Sequence, residues 1–332
     1  MSLPVLHPVR RRKRRRSRRS GLLLLVLVVA LGIIAAVRLS ERGGSRLADP
    51  PAVTRAPAPA PATKPAARPA VAAAARPLVV GPPRLTGALH PLLGARAAIV
   101  IDAADGRIVW ALRSHRRLPI ASTTKIMTAH LVLQHRPLAS VVRIDWTVPR
   151  VPLIKEGLRV GERVPTWKLL YAMLLYSGND DALALAIATA GSRPAFIRLM
   201  NREAARLRLR DTHFTSPSGV IDDGNYSTAS DLAALTRVAL RDARFREIVR
   251  ARIKRVSWPA PTYSKVYVNK NRLLELYPHA IGVKTGWTTK AGRCLVGAAT
   301  RDGRTLIAVV LHSNRPYNDV ARLLNIGYRT AA

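Results

Sequence analysis

The chain has 332 residues, and its 55 lysines and arginines exceed its 19 acidic residues by 36 charges. Its single cysteine, Cys294, excludes an internal disulfide and predicts a small buried side chain instead. The basic residues are scattered, only 5% of the residues are aromatic, and no zinc-ligand spacing or glycine-rich phosphate loop is present, so no nucleic-acid partner is expected.

The first 84 residues form three segments of different composition. Residues 1–20 are strongly basic, which predicts a cytoplasmic tail by the positive-inside rule. Residues 21–37 are apolar, and their length is near the lower limit of about 17–25 residues for a membrane-spanning helix. Residues 38–84 are rich in alanine and proline and predict an extended linker. We expect a single-pass anchor in the lipid bilayer with the rest of the chain outside the cytoplasm; the alternative is a cleaved signal peptide and a secreted protein.

From residue 85 to residue 332 the pattern predicts one domain with strands at both ends and helices between them. Asp105-Gly106 and Asp302-Gly303 are hairpin signals between strand-like runs. Those runs are residues 97–102, 107–112, 294–300 and 305–312. The helix-like segments are residues 120–133, 166–175, 180–190, 193–207, 230–240 and 316–328. This order predicts an α+β fold in which both chain ends form an antiparallel sheet around an inserted helical subdomain, with a site in the cleft between them.

Three short motifs carry the polar groups that acyl chemistry needs. Ser122 and Lys125 stand three residues apart near the start of a predicted helix, a spacing that puts both side chains on one face. A neutral lysine beside a serine can accept its proton and so activate the hydroxyl as a nucleophile. Ser177-Gly178-Asn179 and Lys284-Thr285-Gly286 follow in that order. Alone, the second is typical of a turn and the third of a strand end, so their weight comes from occurring together.

The segments around these motifs resemble the serine-type D-alanyl-D-alanine carboxypeptidases, the low-molecular-mass penicillin-binding proteins of peptidase family S11. The matching segments are residues 119–129, 174–182, 211–219 and 282–288, the last followed by Ala291-Gly292. The resemblance extends over about residues 97–328. It implies a β-lactamase/transpeptidase-like fold and a D,D-carboxypeptidase domain over residues 85–332.

The resemblance also implies catalytic roles for four residues. Ser122 would attack the carbonyl group between the last two D-alanines of a peptidoglycan stem peptide, and Lys125 would act as the base. Burial and a second cation, for which Lys284 is the candidate, would lower the pKa of Lys125 enough to keep it neutral. Ser177 would relay the proton to the leaving amine, and Asn179 would hold the peptide amide.

Substrate binding is implied for the third motif and the residue after it, namely Lys284, Thr285, Gly286 and Trp287. Lys284 and Thr285 would bind the terminal carboxylate of the substrate. The backbone N–H groups of Ser122 and Trp287 would form the oxyanion hole. No cofactor and no metal are expected, and β-lactams are expected to act as covalent inhibitors. Asp180 and Asp181 are interpreted as residues that favour a helix N-terminus, with no catalytic role.

Three alternatives remain open at this point. Class A β-lactamases share the serine–lysine chemistry but need a Glu-x-x-x-Asn pattern. The glutamates between the second and third motifs are followed four residues later by other residue types: Glu203 by Leu207, Glu247 by Ala251 and Glu275 by His279. The absence of the Glu-x-x-x-Asn pattern between the second and third motifs predicts slow hydrolysis of bound penicillin. A D,D-endopeptidase that cuts peptidoglycan crosslinks would carry the same motifs, and an inactive penicillin-binding-like interaction protein would keep the fold alone.

Overall fold

The computed structural model describes residues 93–220, 224–257 and 264–329, which all belong to one compact unit of the chain. The predicted tail, anchor and linker of residues 1–84 lie outside the described residues. The strands in the described ranges are β1 (Ala95–Asp102), β2 (Ile108–Leu112), β3 (Leu118–Pro119), β4 (Val141–Arg143), β5 (Arg163–Pro165), β6 (Tyr226–Ser227), β7 (Ile253–Val256), β8 (Lys265–Val268), β9 (Ala280–Thr288), β10 (Gly292–Arg301) and β11 (Arg304–Ser313).

The helices lie mainly between the first two and the last three strands. They are α1 (Lys125–His135), α2 (Thr166–Tyr171), α3 (Asn179–Ala190), α4 (Arg193–Arg206), α5 (Ala229–Ala239), α6 (Ala243–Arg250), α7 (Leu273–Leu276) and α8 (Pro316–Arg329). Two 3-10 turns, Ala121–Thr124 and Val148–Arg150, and one π-helical turn, Ala172–Tyr176, complete the described elements.

A five-stranded antiparallel sheet in the order β2-β1-β11-β10-β9 joins the two ends of the described chain. Strand β1 pairs with β11 from Ala95 opposite Ser313 to Asp102 opposite Leu306. Both predicted hairpins are confirmed, since β1 pairs with β2 and β10 pairs with β11. Asp302 and Gly303 have φ values of 49° and 75°, the left-handed conformation that a two-residue hairpin turn requires. The predicted α+β architecture is therefore confirmed.

Helices cover both faces of the sheet. Alternate residues of a strand point to opposite faces, so the central strands contribute side chains to two separate cores. On β1, Ile99 and Ile101 belong to the large core shared with the middle helices. Ala98 and Val100 belong to a second core on the other face, which includes Leu323 of the C-terminal helix α8. All four of these β1 side chains are fully buried, so the central strands form the rigid layer on which the rest of the domain is built.

Two predicted helices begin or end differently in the structure. The helix predicted for residues 120–133 is a 3-10 turn over Ala121–Thr124 followed by α1, because Ala121 has a φ of 46° that an α-helix does not accommodate. The helix predicted for residues 166–175 is α2 followed by the π-helical turn Ala172–Tyr176. The 3-10 turn contains Ser122, and the π-helical turn directly precedes Ser177.

Within the described ranges, no single helix has both the length and the apolar character needed to cross a membrane. Helices α3 and α4 together meet that requirement by length and composition alone, and the pair is bent by 84°. Helix α3 ends at Gly191, whose φ of 81° is the left-handed conformation of a common helix C-terminus.

Candidate active site

The hydroxyl oxygen of Ser122 and the amine nitrogen of Lys125 are 2.9 Å apart. Ser122 lies in the 3-10 turn, and Lys125 is the first residue of α1. A 3-10 turn has three residues per turn, so its end brings residues three apart onto the same side. The turn thus supplies the contact that the spacing predicted for a regular helix.

Three oxygen atoms surround the Lys125 amine in an arrangement that its neutral form can satisfy. Besides Ser122 Oγ, Asn179 Oδ1 lies 2.8 Å and the Ser218 carbonyl oxygen 3.0 Å from Nζ. A neutral amine has two N–H groups and one lone pair. The two N–H groups can donate to Asn179 and Ser218, neither of which can give a proton at the contacting oxygen, and the lone pair is then left for the Ser122 hydroxyl. This arrangement lets the amine accept the proton of Ser122.

Burial and a second lysine lower the pKa of Lys125 well below its usual value. The side chain has no solvent-accessible surface, so its charged form loses its hydration. The positive charge of Lys284 adds to this effect, while the carboxyl group of Asp181 works against it. Burial and the charge of Lys284 therefore both act in the direction that a neutral Lys125 requires.

The second motif follows the π-helical turn and leads into α3. Ser177 has a φ of 75°, and its backbone N–H donates to the Ala172 carbonyl oxygen at 3.0 Å, the bond that closes the π turn. Asn179 is the first residue of α3, and its side-chain nitrogen lies 3.4 Å from the Pro152 carbonyl oxygen while its side-chain oxygen faces Lys125. Ser177 therefore ends the π-helical turn, and Asn179, two residues later, contacts the Lys125 amine.

The third motif lies in the middle of β9, the edge strand of the sheet. Gly286 approaches the nucleophile turn so closely that a Cβ atom on it would lie 3.2 Å from the Ser122 backbone nitrogen and 2.9 Å from the Ile120 carbonyl oxygen. Trp287, the next residue, is 64% exposed, and Thr285 is half-buried. The edge strand thus runs alongside Ser122 and leaves one exposed aromatic side chain beside the site.

Lys284 is buried, and its amine donates to the Thr285 carbonyl oxygen at 3.1 Å. Burial, and to a smaller extent the charge of Lys270, lowers the pKa of Lys284 to about 7. Lys270 was not singled out from the sequence, although its charge also acts on Lys125. Its amine lies 4.0 Å from the centre of the Tyr176 ring, next to the second motif. Two further lysines, Lys284 and Lys270, therefore lie close enough to Lys125 for their charges to act on it.

A loop after α4 supports the nucleophile turn from behind. The Thr128 hydroxyl donates to the Pro217 carbonyl oxygen at 2.6 Å, one residue before the Ser218 carbonyl that contacts Lys125. Gly219 has a φ of 74°, and a Cβ atom there would lie 1.9 Å from the Ala121 carbonyl oxygen. Asn225 donates to the Thr124 hydroxyl at 3.0 Å. This loop contains the segment 211–219 of the predicted resemblance. It contacts Lys125 through a backbone carbonyl group, which a pattern of side chains in the sequence cannot predict.

The arrangement can perform nucleophilic acyl transfer, because a hydroxyl, a buried amine and a second buried lysine lie close together. In the part of the chain that the structure describes, no group of three or more histidine, cysteine, aspartate or glutamate side chains is arranged to hold a metal ion. Cys294 is buried as predicted, and burial raises the pKa of its thiol to about 11. A thiol in that state is a poor nucleophile.

Comparison with known proteins identifies relatives of one kind. The family profile described as D-alanyl-D-alanine carboxypeptidase, Peptidase S11, matches residues 86–315. The D-alanyl-D-alanine carboxypeptidase of Streptomyces sp. strain K15 is 34% identical over 267 residues, which cover 73% of this chain and 90% of that protein. A Bacillus subtilis D-alanyl-D-alanine carboxypeptidase is 30% identical over 67% of this chain, and the match spans only 58% of that longer protein.

Solved structures agree with the sequence comparison. A variant of the Streptomyces K15 DD-transpeptidase matches with a TM-score of 0.68 and 32% identity, covering 71% of this chain and 98% of that one. A D-alanyl-D-alanine carboxypeptidase from Mycobacterium tuberculosis matches with a TM-score of 0.67 and 31% identity, covering 71% and 91% of the two chains. The predicted β-lactamase/transpeptidase-like fold is confirmed by these neighbours.

Proposed function

This chain belongs to the D-alanyl-D-alanine carboxypeptidases of peptidase family S11, which are serine peptidases, and we propose that it removes the terminal D-alanine from peptidoglycan stem pentapeptides outside the cytoplasm. The observation that carries this proposal is the 2.9 Å contact between Ser122 Oγ and the buried Lys125 amine. It supplies the nucleophile and the base that an acyl-enzyme mechanism requires.

The first half of the reaction forms an acyl-enzyme. Ser122 Oγ attacks the carbonyl carbon of the penultimate D-alanine while its proton passes to Lys125 Nζ. The backbone N–H groups of Ser122 and Trp287 stabilise the negative charge that develops on the carbonyl oxygen. The carbon–nitrogen bond then breaks, and the leaving amine takes a proton that Ser177 relays from Lys125. D-Alanine departs, and the shortened peptide remains as an ester of Ser122.

The second half of the reaction releases the shortened peptide. Lys125 is neutral again after the first half, so it can accept a proton from a water molecule that attacks the ester carbonyl. The bond to Ser122 Oγ breaks, and the serine regains a proton. The same amine therefore acts as base in both halves, as in other covalent mechanisms in which one group serves both steps.

Selectivity for a chain end comes from the third motif. Lys284 is a buried cation beside Thr285, and a substrate carboxylate placed there would gain a charge-assisted hydrogen bond. Asn179 would bind the peptide amide. A peptide bond within a longer chain has no carboxylate at this position, which favours exopeptidase activity. A β-lactam, which carries a carboxylate next to a strained amide, fits the same groups and would acylate Ser122.

Release of D-alanine from a pentapeptide that ends in two D-alanines tests the proposed function. Wild-type protein is expected to release it, and Ser122→Ala is expected to release none. A pentapeptide with a C-terminal amide is the matched substrate control, and we expect a large increase in KM because the carboxylate is lost. Wild-type protein that is folded but releases no D-alanine, or a Ser122→Ala variant that still releases it, would contradict the proposal.

Acyl transfer to an amine is a second candidate activity, which the 32% identity to a Streptomyces DD-transpeptidase favours. The acyl-enzyme is common to both activities, and only the acceptor differs. Addition of an amino-acid acceptor to the pentapeptide assay distinguishes them: a carboxypeptidase releases D-alanine at an unchanged rate and forms little transfer product. A D,D-endopeptidase would instead cleave a crosslinked muropeptide dimer, which belongs in the same set of assays.

We further propose that residues 21–37 anchor the protein in the membrane and that residues 38–84 link this anchor to the catalytic domain of residues 85–332. This assignment is supported by the apolar run and by the basic residues that precede it. The N-terminal sequence of the protein purified from membranes is the test. An anchor retains residues 21–37, whereas a mature chain that begins after residue 37 would show a cleaved signal peptide.

A further inference from the structure

The carboxyl group of Asp181 is buried at the N-terminus of α3, three residues after the second-motif glycine. Asp181 has no solvent-accessible surface, and neither carboxyl oxygen has a hydrogen-bond partner within the described part of the chain. Its neighbour Asp180 differs, because it accepts hydrogen bonds from the backbone N–H groups of residues 156–158. A buried polar group without a partner costs about 1–3 kcal/mol, so Asp181 is not explained as a residue that stabilises the helix end.

The Asp181 carboxyl group occupies the space beside Gly178. A Cβ atom built on Gly178 would lie 1.9 Å from Asp181 Oδ2 and 3.0 Å from Asp181 Cγ. The backbone of Gly178 has a φ of −59° and a ψ of 133°, which any residue can adopt. Glycine is therefore required at this position for space and not for conformation, and the group that takes up the space is the Asp181 carboxyl.

Gly178 is the middle residue of the second motif, so this packing acts directly on catalytic positions. It follows Ser177, whose φ is 75°, and precedes Asn179, whose Oδ1 atom lies 2.8 Å from the Lys125 amine. A left-handed conformation at a residue other than glycine persists only where its surroundings hold it. The buried Asp181 side chain packs against Gly178, the residue between Ser177 and Asn179, and so restricts the movement of this segment.

Burial and the neighbouring carboxylates favour the neutral form of the Asp181 carboxyl group. Burial first, and then the carboxylates of Asp180 and Glu156, raise its pKa well above the usual value, while Lys265 and Lys125 act in the opposite direction. A neutral carboxyl group leaves Lys125 free to be neutral as well. An ionised Asp181 would favour a protonated Lys125, which cannot act as a base.

We propose that Asp181 is a positioning residue of the active site, whose carboxyl group packs against Gly178 and so holds the second motif in the conformation in which Asn179 contacts Lys125. This proposal rests on the proposed acyl-enzyme mechanism and adds a residue to it. Asp181 itself touches no reacting atom. Its effect on the reaction passes through Gly178, and this coupling makes the two residues interdependent in a way that can be measured.

A double-mutant cycle between these two residues tests the proposal in the full-length protein. Gly178→Ala creates the clash with Asp181 and is expected to slow acylation by a fluorescent penicillin about tenfold or more. Asp181→Ala in the same chain removes the clash, so the double variant is expected to be acylated faster than Gly178→Ala alone. Asp181→Asn keeps the shape and cannot ionise, and we expect its acylation rate and pH profile to stay within about threefold of wild type.

Gly191→Ala is the matched control at the other end of α3. It makes the same chemical change at a residue with open space around its Cβ position, where only the backbone conformation is strained. It is expected to lower the melting temperature but to leave the acylation rate of the folded protein unchanged, and Asp181→Ala is not expected to rescue it. The melting temperature of each variant shows whether it is folded, so that a slow acylation rate in a folded variant can be assigned to lost positioning.

The outcomes distinguish this proposal from the proposed function. Wild-type protein that reacts with penicillin, combined with additive effects of Gly178→Ala and Asp181→Ala on the acylation rate, would overturn the role of Asp181 alone. An Asp181→Asn variant that is folded but is acylated more than tenfold more slowly than wild type would also overturn it, because the side chain would then act through its acid group and not through its shape. Wild-type protein that is folded but neither reacts with penicillin nor releases D-alanine would overturn the proposed function, and the positioning role with it.

Discussion

Asn179 and Lys125 are 54 residues apart in the chain, and Asn179 Oδ1 lies 2.8 Å from Lys125 Nζ. This contact joins the second motif to the first and occupies one of the two N–H groups of a neutral amine. Because the acceptor is an uncharged amide, it orients the amine and favours the protonated form less than a carboxylate would. The identity of residue 179 therefore controls both the direction and the charge of the base.

Asn179→Asp should be more harmful than Asn179→Ala near neutral pH. The aspartate has the same shape but places a negative charge 2.8 Å from the amine, which favours protonated Lys125. We expect the acylation rate to fall by about 10²–10⁴ for Asn179→Asp, the range typical of losing a general base. Stopped-flow acylation by a fluorescent penicillin measures it. Equal rates for the two variants would show that the charge of Lys125 does not limit the reaction.

The dependence of kcat/KM on pH should show two limbs with different origins. It should rise with pH as Lys125, whose pKa is lowered, loses its proton and becomes a base. It should fall above about pH 7, where Lys284 in the free enzyme loses the charge that binds the carboxylate. A bound carboxylate raises the pKa of Lys284, so kcat should fall at a higher pH than kcat/KM does. Steady-state profiles on the pentapeptide measure both, and coinciding alkaline limbs would contradict this assignment.

Gly286→Ala should slow acylation without unfolding the protein. The added methyl group would lie 3.2 Å from the Ser122 backbone nitrogen, whose N–H is the proposed oxyanion donor. Loss of one such donor costs about 10²–10³ in rate. Gly303→Ala is a control in the neighbouring hairpin, where nothing lies within 4 Å of the new Cβ and only the backbone, with a φ of 75°, is strained. A Gly286→Ala variant that is acylated as fast as wild type would show that the close approach of β9 to Ser122 does not affect the oxyanion hole.

Glu203 should contribute to stability only above acidic pH. Burial opposes its charge, but hydrogen bonds from Arg206 and His130 prevail and lower its pKa to about 2. A carboxylate with a lowered pKa stabilises the fold above its unfolded-state pKa and loses this effect as pH falls towards the folded-state value. The free energy of unfolding should fall by on the order of 1–3 kcal/mol more in wild type than in Glu203→Gln between pH 6 and pH 2. Urea titrations at both pH values measure this, and parallel curves would be the contrary result.

Much of the sheet could be predicted because its signals are local. Asp302-Gly303 marks a turn in which both residues have positive φ, and the flanking runs alternate between two buried faces. Strand β9 was missed, since Gly282 and Gly286 interrupt it and glycine is depleted in strands. Helix α6 was missed although Asp242 caps it and its apolar residues recur at helical spacing.

The three motifs could be recognised from the sequence because each is a pattern of particular side chains, whereas the groups that contact them could not. The Ser218 contribution is a carbonyl group, which every residue has. Lys270 is one of many basic residues, and only the fold brings its charge to Lys125 and Lys284. Asp181 was interpreted as a helix-end residue because aspartate is seldom fully buried. Its burial against Gly178 follows from the three-dimensional packing and not from any local pattern.

The most direct test of the account is the site of covalent attachment by penicillin in the full-length protein. Peptide mass mapping after brief exposure is expected to find one intact penicillin, bound as an ester to Ser122. The adduct should be absent from Ser122→Ala and should form far more slowly in Lys125→Arg, which cannot become neutral. An adduct on another residue, or one that forms at the wild-type rate without the Ser122 hydroxyl or the Lys125 amine, would contradict a serine nucleophile activated by a buried neutral lysine.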